Sequence, residues 1–345
     1  MISLLDYSGI RTKTKALEGK LLSPHDFDSL AHAASVPEAV EFLRGRPGYG
    51  GIFANLESAY LHRDMIERLL NRSLYRDFEK LYKFATRRQR DFLDYYFLYL
   101  EISILKKFMR ALAGRQNAPV DPGGDHAFFN RHSSLDLKRV AACTSLDELA
   151  QYLATTRFGA MLEGLLGKEG LTLFDYEMQL DRYFFTSFWK RKWAKSLPLT
   201  KCNGTKLDLL NLQWIYRSKK YYALDNAQIV SLLIPDTYRL KKGEISALVE
   251  AQGTTEFFDA LRKTAYGKLL ERTQDEGGHT DIERLYEQVL NRVYEQTEKE
   301  QPYSLATLNS YLYFKELEIR KIVTTVEGIR YGLGPDEIGS YVIKL

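Results

Sequence analysis

Three carboxylates, Glu101, Asp208 and Glu318, stand at nearly one spacing along the 345 residues, each ahead of a group of bases. Glu101 is followed by Lys106, Lys107 and Arg110, Asp208 by Arg217, Lys219 and Lys220, and Glu318 by Arg320, Lys321 and Arg330. An acid early in a helix and bases later in it complement the peptide dipole and pair along an exposed face. Recurring three times, they would also let three polar helix ends gather around one pseudo-threefold axis. Such a concavity receives a partner, not a substrate.

Other chemistry has less to stand on. No Gly-rich loop leads into Lys-Ser or Lys-Thr, and Gly48-Tyr49-Gly50-Gly51 sits at a helix end instead of after a strand, so it reads as a turn. His126 and His132 with Asp125 lie beside a Gly-rich linker and lack a fourth partner in sequence, which makes them solvated loop residues. His25, His32, His62 and His279 are scattered, and no Ser-His-Asp or Cys-His spacing emerges. The expectation is a protein with no catalytic residue, no metal and no cofactor.

The elements that position the three acids recur with them. The stretch from Leu30 through Ser35, Glu38 and Leu43 to Tyr49-Gly50 returns as Val140, Ser145, Glu148, Leu153 and Phe158-Gly159, and again as Leu248, Gly253, Glu256, Leu261 and Tyr266-Gly267. Each copy reads as an amphipathic helix, a break at Ser35, Ser145 or Gly253, and a second helix opening near the acidic column. The aromatic-Gly pair is expected to end that second helix with a left-handed glycine. Independently, Glu101-Ile102-Ser103-Ile104-Leu105 matches Asp208-Leu209-Leu210-Asn211-Leu212 and Glu318-Ile319-Arg320-Lys321-Ile322, with Tyr96-Phe97 matching Tyr313-Phe314. Two column sets sharing nearly one period make the chain an internal triplication of about 110 residues per unit.

Composition sets the class. At 45% hydrophobic and 27% charged, with 13% aromatic residues, the chain is an ordered globular protein. The net charge of +4, from 49 basic and 45 acidic residues, is too balanced for a nucleic-acid binder. Cys143 and Cys202 are far apart and in no metal-like spacing, which fits a reduced cytoplasmic setting. The N-terminus lacks a signal peptide's apolar core, and the longest uncharged run, Gln301 to Phe314, is short of the ~20 apolar residues of a spanning helix. The chain is expected to be soluble without detergent.

Along the chain, the apolar spacing from Tyr7 predicts a helix that stops at Ser23-Pro24, and a long or kinked helix runs between Leu56 and Phe84. Phe92 to Leu112 is apolar nearly all round and should be a buried helix; Arg115 to Asp125, with two prolines and a Gly pair, is the clearest linker. An aromatic helix spans Phe174 to Trp193, a loop Pro198 to Gly204, and a helix Lys206 to about Tyr222 before Ile234-Pro235-Asp236 breaks the chain. A polar linker at Thr273 to Thr280, helices from Asp281 and from about Leu305, and a break at Gly332-Leu333-Gly334-Pro335 complete it, with little β structure expected.

Taken together, Tyr7-x-x-x-Arg11-x-Lys13 leading to Leu21-Leu22, Asp208-x-x-Asn211-Leu212-x-x-Ile215-x-Arg217-x-Lys219, Leu233-Ile234-Pro235 and Glu318-Ile319-Arg320-Lys321-Ile322 resemble the C subunits of archaeal and bacterial A/V-type rotary ATPases, relatives of the eukaryotic V-ATPase d subunits. The resemblance covers essentially the whole chain. It implies an all-α funnel of three similar helical units, residues 1–118, 119–233 and 234–345. It also implies a cytoplasmic, peripheral rotor part without catalysis, coupling the central stalk to the membrane during ATP-linked proton or sodium transport. Its partners would be the D and F proteins of the central stalk, the membrane proteolipid ring and the membrane part of the stator. Candidate contacts are Asp208, Asn211, Arg217, Lys219 and Lys220 in the second unit, Glu101 and Arg110 in the first, and Glu318, Arg320 and Arg330 in the third. The Asn column departs from the family in two units, which carry Ile104 and Lys321 there. The contrasting reading is a stand-alone helical scaffold that binds a protein or an anionic membrane surface. If the triplication is real, superposing the three units must place Leu43, Leu153 and Leu261 in equivalent buried positions; unrelated positions would dissolve the repeat.

Overall fold

Ser23, Ser35, Ser145 and Thr172, each three residues ahead of an acid, and Gly50, Gly159 and Gly267, where backbones touch, mark the starts of seven helices among the described residues. A computed structural model describes residues 2–55, 61–114, 126–133, 135–162, 171–222, 224–270 and 282–344, and the described residues are all-helical, with no strand among them. They form two compact units, residues 1–86, 196–233 and 237–345 in one and residues 87–195 with 234–236 in the other.

The larger unit opens with α1 (Ile2–Glu18), α2 (Pro24–Ala31), α3 (Val36–Arg44), α4 (Gly50–Phe53) and α5 (Arg63–Phe84). The smaller unit holds α6 (Arg87–Ala113), α7 (His126–His132), α8 (Leu137–Ala142), α9 (Leu146–Ala154), α10 (Gly159–Leu162) and α11 (Leu173–Trp189). The chain then returns to the larger unit with α12 (Leu197–Arg217), α13 (Asn226–Leu232), α14 (Lys242–Glu250), α15 (Gly253–Arg262), α16 (Gly267–Leu270), α17 (Ile282–Glu300), α18 (Leu305–Arg330) and α19 (Pro335–Lys344).

Helix α18 is the hub of the larger unit. It packs against α1, α2, α3, α5, α12, α17 and α19, so nearly its whole circumference is buried, including Thr307, Ser310, Lys315 and Glu318. In the smaller unit α6 plays that part, packing on α8, α9 and α11. There Tyr95 stacks on Phe184 at 4.7 Å between ring centres, while Trp193 meets Phe92, Tyr95 and Phe188 edge-on or nearly so. Aromatic pairs in these offset and edge geometries add to the area they bury.

Three short helical caps carry the recurrent sequence: α2 to α4, α8 to α10, and α14 to α16. Leu30, Val140 and Leu248 are buried in their first helices, and Leu43, Leu153 and Leu261 in their second, each of the latter three fully enclosed. The acidic column works at the break between the two helices. Glu38, Glu148 and Glu256 accept the backbone N–H of Ala34, Thr144 and Gln252, each at 2.8 Å. Ser35 and Ser145 answer with their hydroxyls, which accept the Glu38 and Glu148 N–H groups. In the third copy Gly253, at φ +88°, makes the turn by conformation instead.

Several boundaries differ from the sequence reading. The aromatic-Gly pair does not end the second helix: α3, α9 and α15 stop at Arg44, Ala154 and Arg262, and Gly50, Gly159 and Gly267 open the one-turn helices that follow. None of the three has a positive φ. Their glycine is required by proximity, because a Cβ would meet the carbonyl oxygen of Arg44 at 2.8 Å, Ala154 at 2.3 Å and Arg262 at 2.0 Å. The first helix ends at Glu18, well before Ser23-Pro24, and Ser23 instead caps α2. Pro198 to Gly204 is not a loop: Pro198 occupies the first turn of α12, where its missing N–H costs nothing, and Gly204 is the flat spot on which the Tyr238 ring rests. The last turn of that helix widens into a π-helix over Ser218–Tyr222. The linkers at 115–125 and 273–280 lie outside the described residues.

These contacts separate two kinds of glycine. Gly267→Ala should destabilise the fold by about 1 to 3 kcal/mol because backbone must move. Gly339→Ala, in α19 with nothing near its virtual Cβ, should stabilise by up to about 1 kcal/mol. Urea unfolding of the two variants measures the difference; equal effects would remove the close-approach explanation.

Candidate functional site

The three recurrent carboxylates are buried, and each is the anchor of one cap. In the larger unit Asp208, on α12, is fully enclosed and accepts the backbone N–H groups of Tyr238 (2.9 Å), Arg239 (2.7 Å) and Leu240 (3.2 Å). It also accepts the Tyr266 hydroxyl at 2.8 Å, so one side chain gathers both the entry to α14 and the aromatic that opens α16. Glu318, on α18, does the same for the first cap. It accepts the Leu22 N–H and the Tyr49 hydroxyl, each at 2.5 Å, and pairs with Lys315 Nζ at 2.7 Å. Lys315 in turn donates to the Tyr49 hydroxyl at 2.8 Å.

Within the smaller unit Glu101, on α6, is equally buried and receives the Ser133 hydroxyl and the Arg157 guanidinium. The aromatic of this copy is Phe158, which has no hydroxyl, and the residue just before it supplies a charged partner instead. Ser133 also accepts the Leu135 N–H at 2.8 Å, which carries the anchor to the entry of α8.

Burial sets the protonation of the phenols. It pushes Tyr49 and Tyr266 well above the ordinary tyrosine range, and the charges of Glu318 and Asp208 push them further. Both therefore remain O–H donors, as a buried carboxylate requires. The Cys202 thiol, sealed between α12 and α17, is pushed up to about 12 by desolvation, only partly offset by its hydrogen bond to Thr297.

The expected solvated face of acids and bases is thus split. Glu101, Asp208, Asn211 and Glu318 face inward, because the helices that carry them are hubs buried nearly all round. The bases lie further out, in ion pairs or on backbone carbonyls. Arg110 grips Glu177 through two nitrogens at 2.6 and 3.1 Å, which raises the guanidinium pKa. Arg217 holds Glu283 at 2.5 Å, Arg320 pairs with Glu287 at 3.4 Å, and Arg330 with Glu327 at 3.0 Å. Lys219 donates to Val249 O and Ala251 O, capping the C-terminus of α14, and desolvation lowers its pKa. Lys220 donates to the Tyr216 hydroxyl at 3.0 Å with Tyr221 on its other side, in an exposed turn with Tyr222.

Spacing marks Tyr49 and Tyr266 as a recurring aromatic but not as partners of the acids, and it does not single out Ser133, Arg157 or Lys315. One signal for them is nevertheless present: where the aromatic column loses its hydroxyl at Phe158, an arginine precedes it. Among the described residues no group of three or more His, Cys, Asp and Glu side chains could hold a metal ion. His132 lies against the rings of Phe97 and Phe128, and Asp125 falls outside the described residues. Among the described residues no helix is long and apolar enough to cross a membrane.

Hub helices that clamp short caps through buried carboxylates make this an all-helical protein. The chain belongs to the ATP synthase (C/AC39) subunit family, whose model matches residues 10–341. It is similar to the A-type ATP synthase C subunit of Thermococcus kodakarensis, 24% identical over 342 residues that cover 97% of this chain and 90% of that protein. The corresponding protein of Methanothermobacter thermautotrophicus is 23% identical over 337 residues, covering 93% and 83%. That of Pyrococcus horikoshii is 25% identical over 340 residues, covering 96% and 89%.

Asp208→Ala should cost on the order of 3 kcal/mol or more, since it strands four donors at once, while Tyr266→Phe should cost about 1 to 3 kcal/mol. Equilibrium unfolding in urea checks the order; a loss below about 1 kcal/mol for Asp208→Ala would show that the carboxylate is not an anchor.

Proposed function

We propose that this chain is a non-catalytic rotor part of an A/V-type rotary ATPase or ATP synthase, joining the D and F proteins of the central stalk to the membrane proteolipid ring. The observation that carries the reading is the family match over residues 10–341, with relatives named as the C subunits of A-type ATP synthases aligned along most of both chains. In this reading the chain sits at the cytoplasmic face of the membrane and transmits torque during ATP-linked proton or sodium transport.

Three acid-anchored caps support an arrangement of three similar helical units, residues 1–118, 119–233 and 234–345, set as a funnel around a pseudo-threefold axis. A coupling element must not yield when twisted. Carboxylates that collect several donors from distant segments are a means to that end, because a satisfied buried network rigidifies its surroundings. The stalk would be met by the outward bases Arg110, Arg217, Lys220, Arg320 and Arg330, with Glu101, Asp208, Asn211 and Glu318 fixing the backbone behind them and Lys219 holding α14.

Charge reversal of the exposed pair tests the reading. Arg217→Glu with Lys220→Glu should leave the thermal melt nearly unchanged, since exposed pairs contribute about 0 to 1 kcal/mol. It should weaken binding to the purified stalk D–F pair by about tenfold or more, because like charges facing a fixed complementary surface cost several kcal/mol. Unchanged affinity with an unchanged melt would return both residues to the solvated surface and remove this face from the stalk contact.

A further inference from the structure

The three anchors differ in what they span. Asp208 binds residues 30 to 58 positions further on, and the Ser133 bond of Glu101 reaches 32, whereas Glu318 binds Leu22 and Tyr49 across 296 and 269 positions. The first cap is therefore held to the hub from the far end of the chain, and the entropic cost of closing a loop rises with its length.

They also differ in composition. Three residues before each acid, on the same face of its helix, stand Leu98, Thr205 and Lys315. Leu98 is simply apolar, and Thr205 adds a neutral hydrogen bond to the Tyr266 phenol. Of these three residues only Lys315 is a cation, and it sits on the Tyr49 ring face at 4.1 Å as well as on its hydroxyl; the cation of the Glu101 anchor is Arg157, from outside its helix. Asp208 is satisfied largely by backbone N–H groups; Glu318 depends on two side chains that depend on each other. A buried ion pair gains little over its desolvation while intact and loses heavily when one partner leaves.

The remaining ties of the caps differ in kind, and the first cap also packs α2 and α3 on α18, α2 on α19 and α4 on α5. The third cap is also gripped by Lys219 at the end of α14 and by Tyr216 between Phe257 and Phe258, both from the adjacent helix α12 or its extension. The first cap has Arg76 on the Gly51 carbonyl at 3.2 Å and a small apolar cluster in which Ala31 and Phe27 of α2 meet Ile338 and Val342 of α19.

We propose that the first cap, residues 20–53, is a latched element: it releases from α5, α18 and α19 as one piece when the Glu318–Lys315–Tyr49 network opens, while the third cap stays seated on Asp208. The latch works by removing its own support, since parting Tyr49 from Glu318 leaves Lys315 and Glu318 with fewer partners in an apolar setting. Cooperative local opening of this kind yields contiguous segments that exchange together below the global unfolding free energy. The inference stands apart from the rotor reading, because it concerns only contacts within the chain.

Native-state hydrogen exchange of the full chain, read by mass spectrometry, tests it with Tyr49→Phe and Glu318→Gln beside Tyr266→Phe. Tyr49→Phe should speed exchange across 24–53 by about tenfold or more, leaving 242–267 and 137–162 within about twofold of the unmodified chain. Tyr266→Phe should not loosen 24–53. If Glu318→Gln fails to fold, Tyr49→Phe still decides, because it removes one hydroxyl and keeps the packed ring. Unchanged exchange over 24–53, or an equal rise in all three segments, would overturn the latch.

Discussion

A carboxylate sealed from water has to be surrounded by donors, and that requirement organises this chain. Asp208 reaches three consecutive backbone N–H groups and a phenol; Glu318 a backbone N–H, a phenol and an ammonium; Glu101 a hydroxyl and a guanidinium. An unpaired charge in such a position would cost several kcal/mol. The segments that bring the donors are therefore tied to the hub helices that carry the acids.

Glycine and aromatic placement follow from the same constraint. For Tyr49 and Tyr266 to reach their acids, the chain must turn tightly after α3 and α15, and the next residue then passes over the carbonyl that ends the preceding helix. Only glycine fits there. In the second copy Phe158 is followed by the same close approach at Gly159, although the partner of the acid there is the Arg157 charge and not a phenol. Geometry is kept where chemistry varies, as expected of a frame that must hold a shape. A member of an ATP synthase family that is proposed to carry torque has that need.

Helix content, the recurrent caps and the acidic capping residues are legible in the sequence because they rest on local rules: apolar periodicity, Ser before Glu, an acid in the first turn. Leu43, Leu153 and Leu261 declare themselves by period alone. The burial of Glu101, Asp208 and Glu318 is not legible, because a helix with scattered polar residues looks half-solvated until its neighbours are known. Those neighbours come from as far as 296 positions away. Pro198 and Gly204 look like loop residues for a similar reason: the partner that makes Gly204 useful in a helix is Tyr238, which no local pattern reveals. The glycines after the aromatic column read as left-handed caps, since a sequence shows that glycine is present but not whether conformation or proximity demands it.

The central claim, that this chain bridges stalk and ring, is tested most directly by mixing the purified stalk D–F pair with vesicles that carry the proteolipid ring, with and without the chain, and measuring the stalk that sediments with them. The account predicts that the stalk is retained only when the chain is present and that the chain binds ring-bearing vesicles but not protein-free neutral ones. Stalk retention without the chain, or chain binding to protein-free vesicles as strong as to ring-bearing ones, would contradict it.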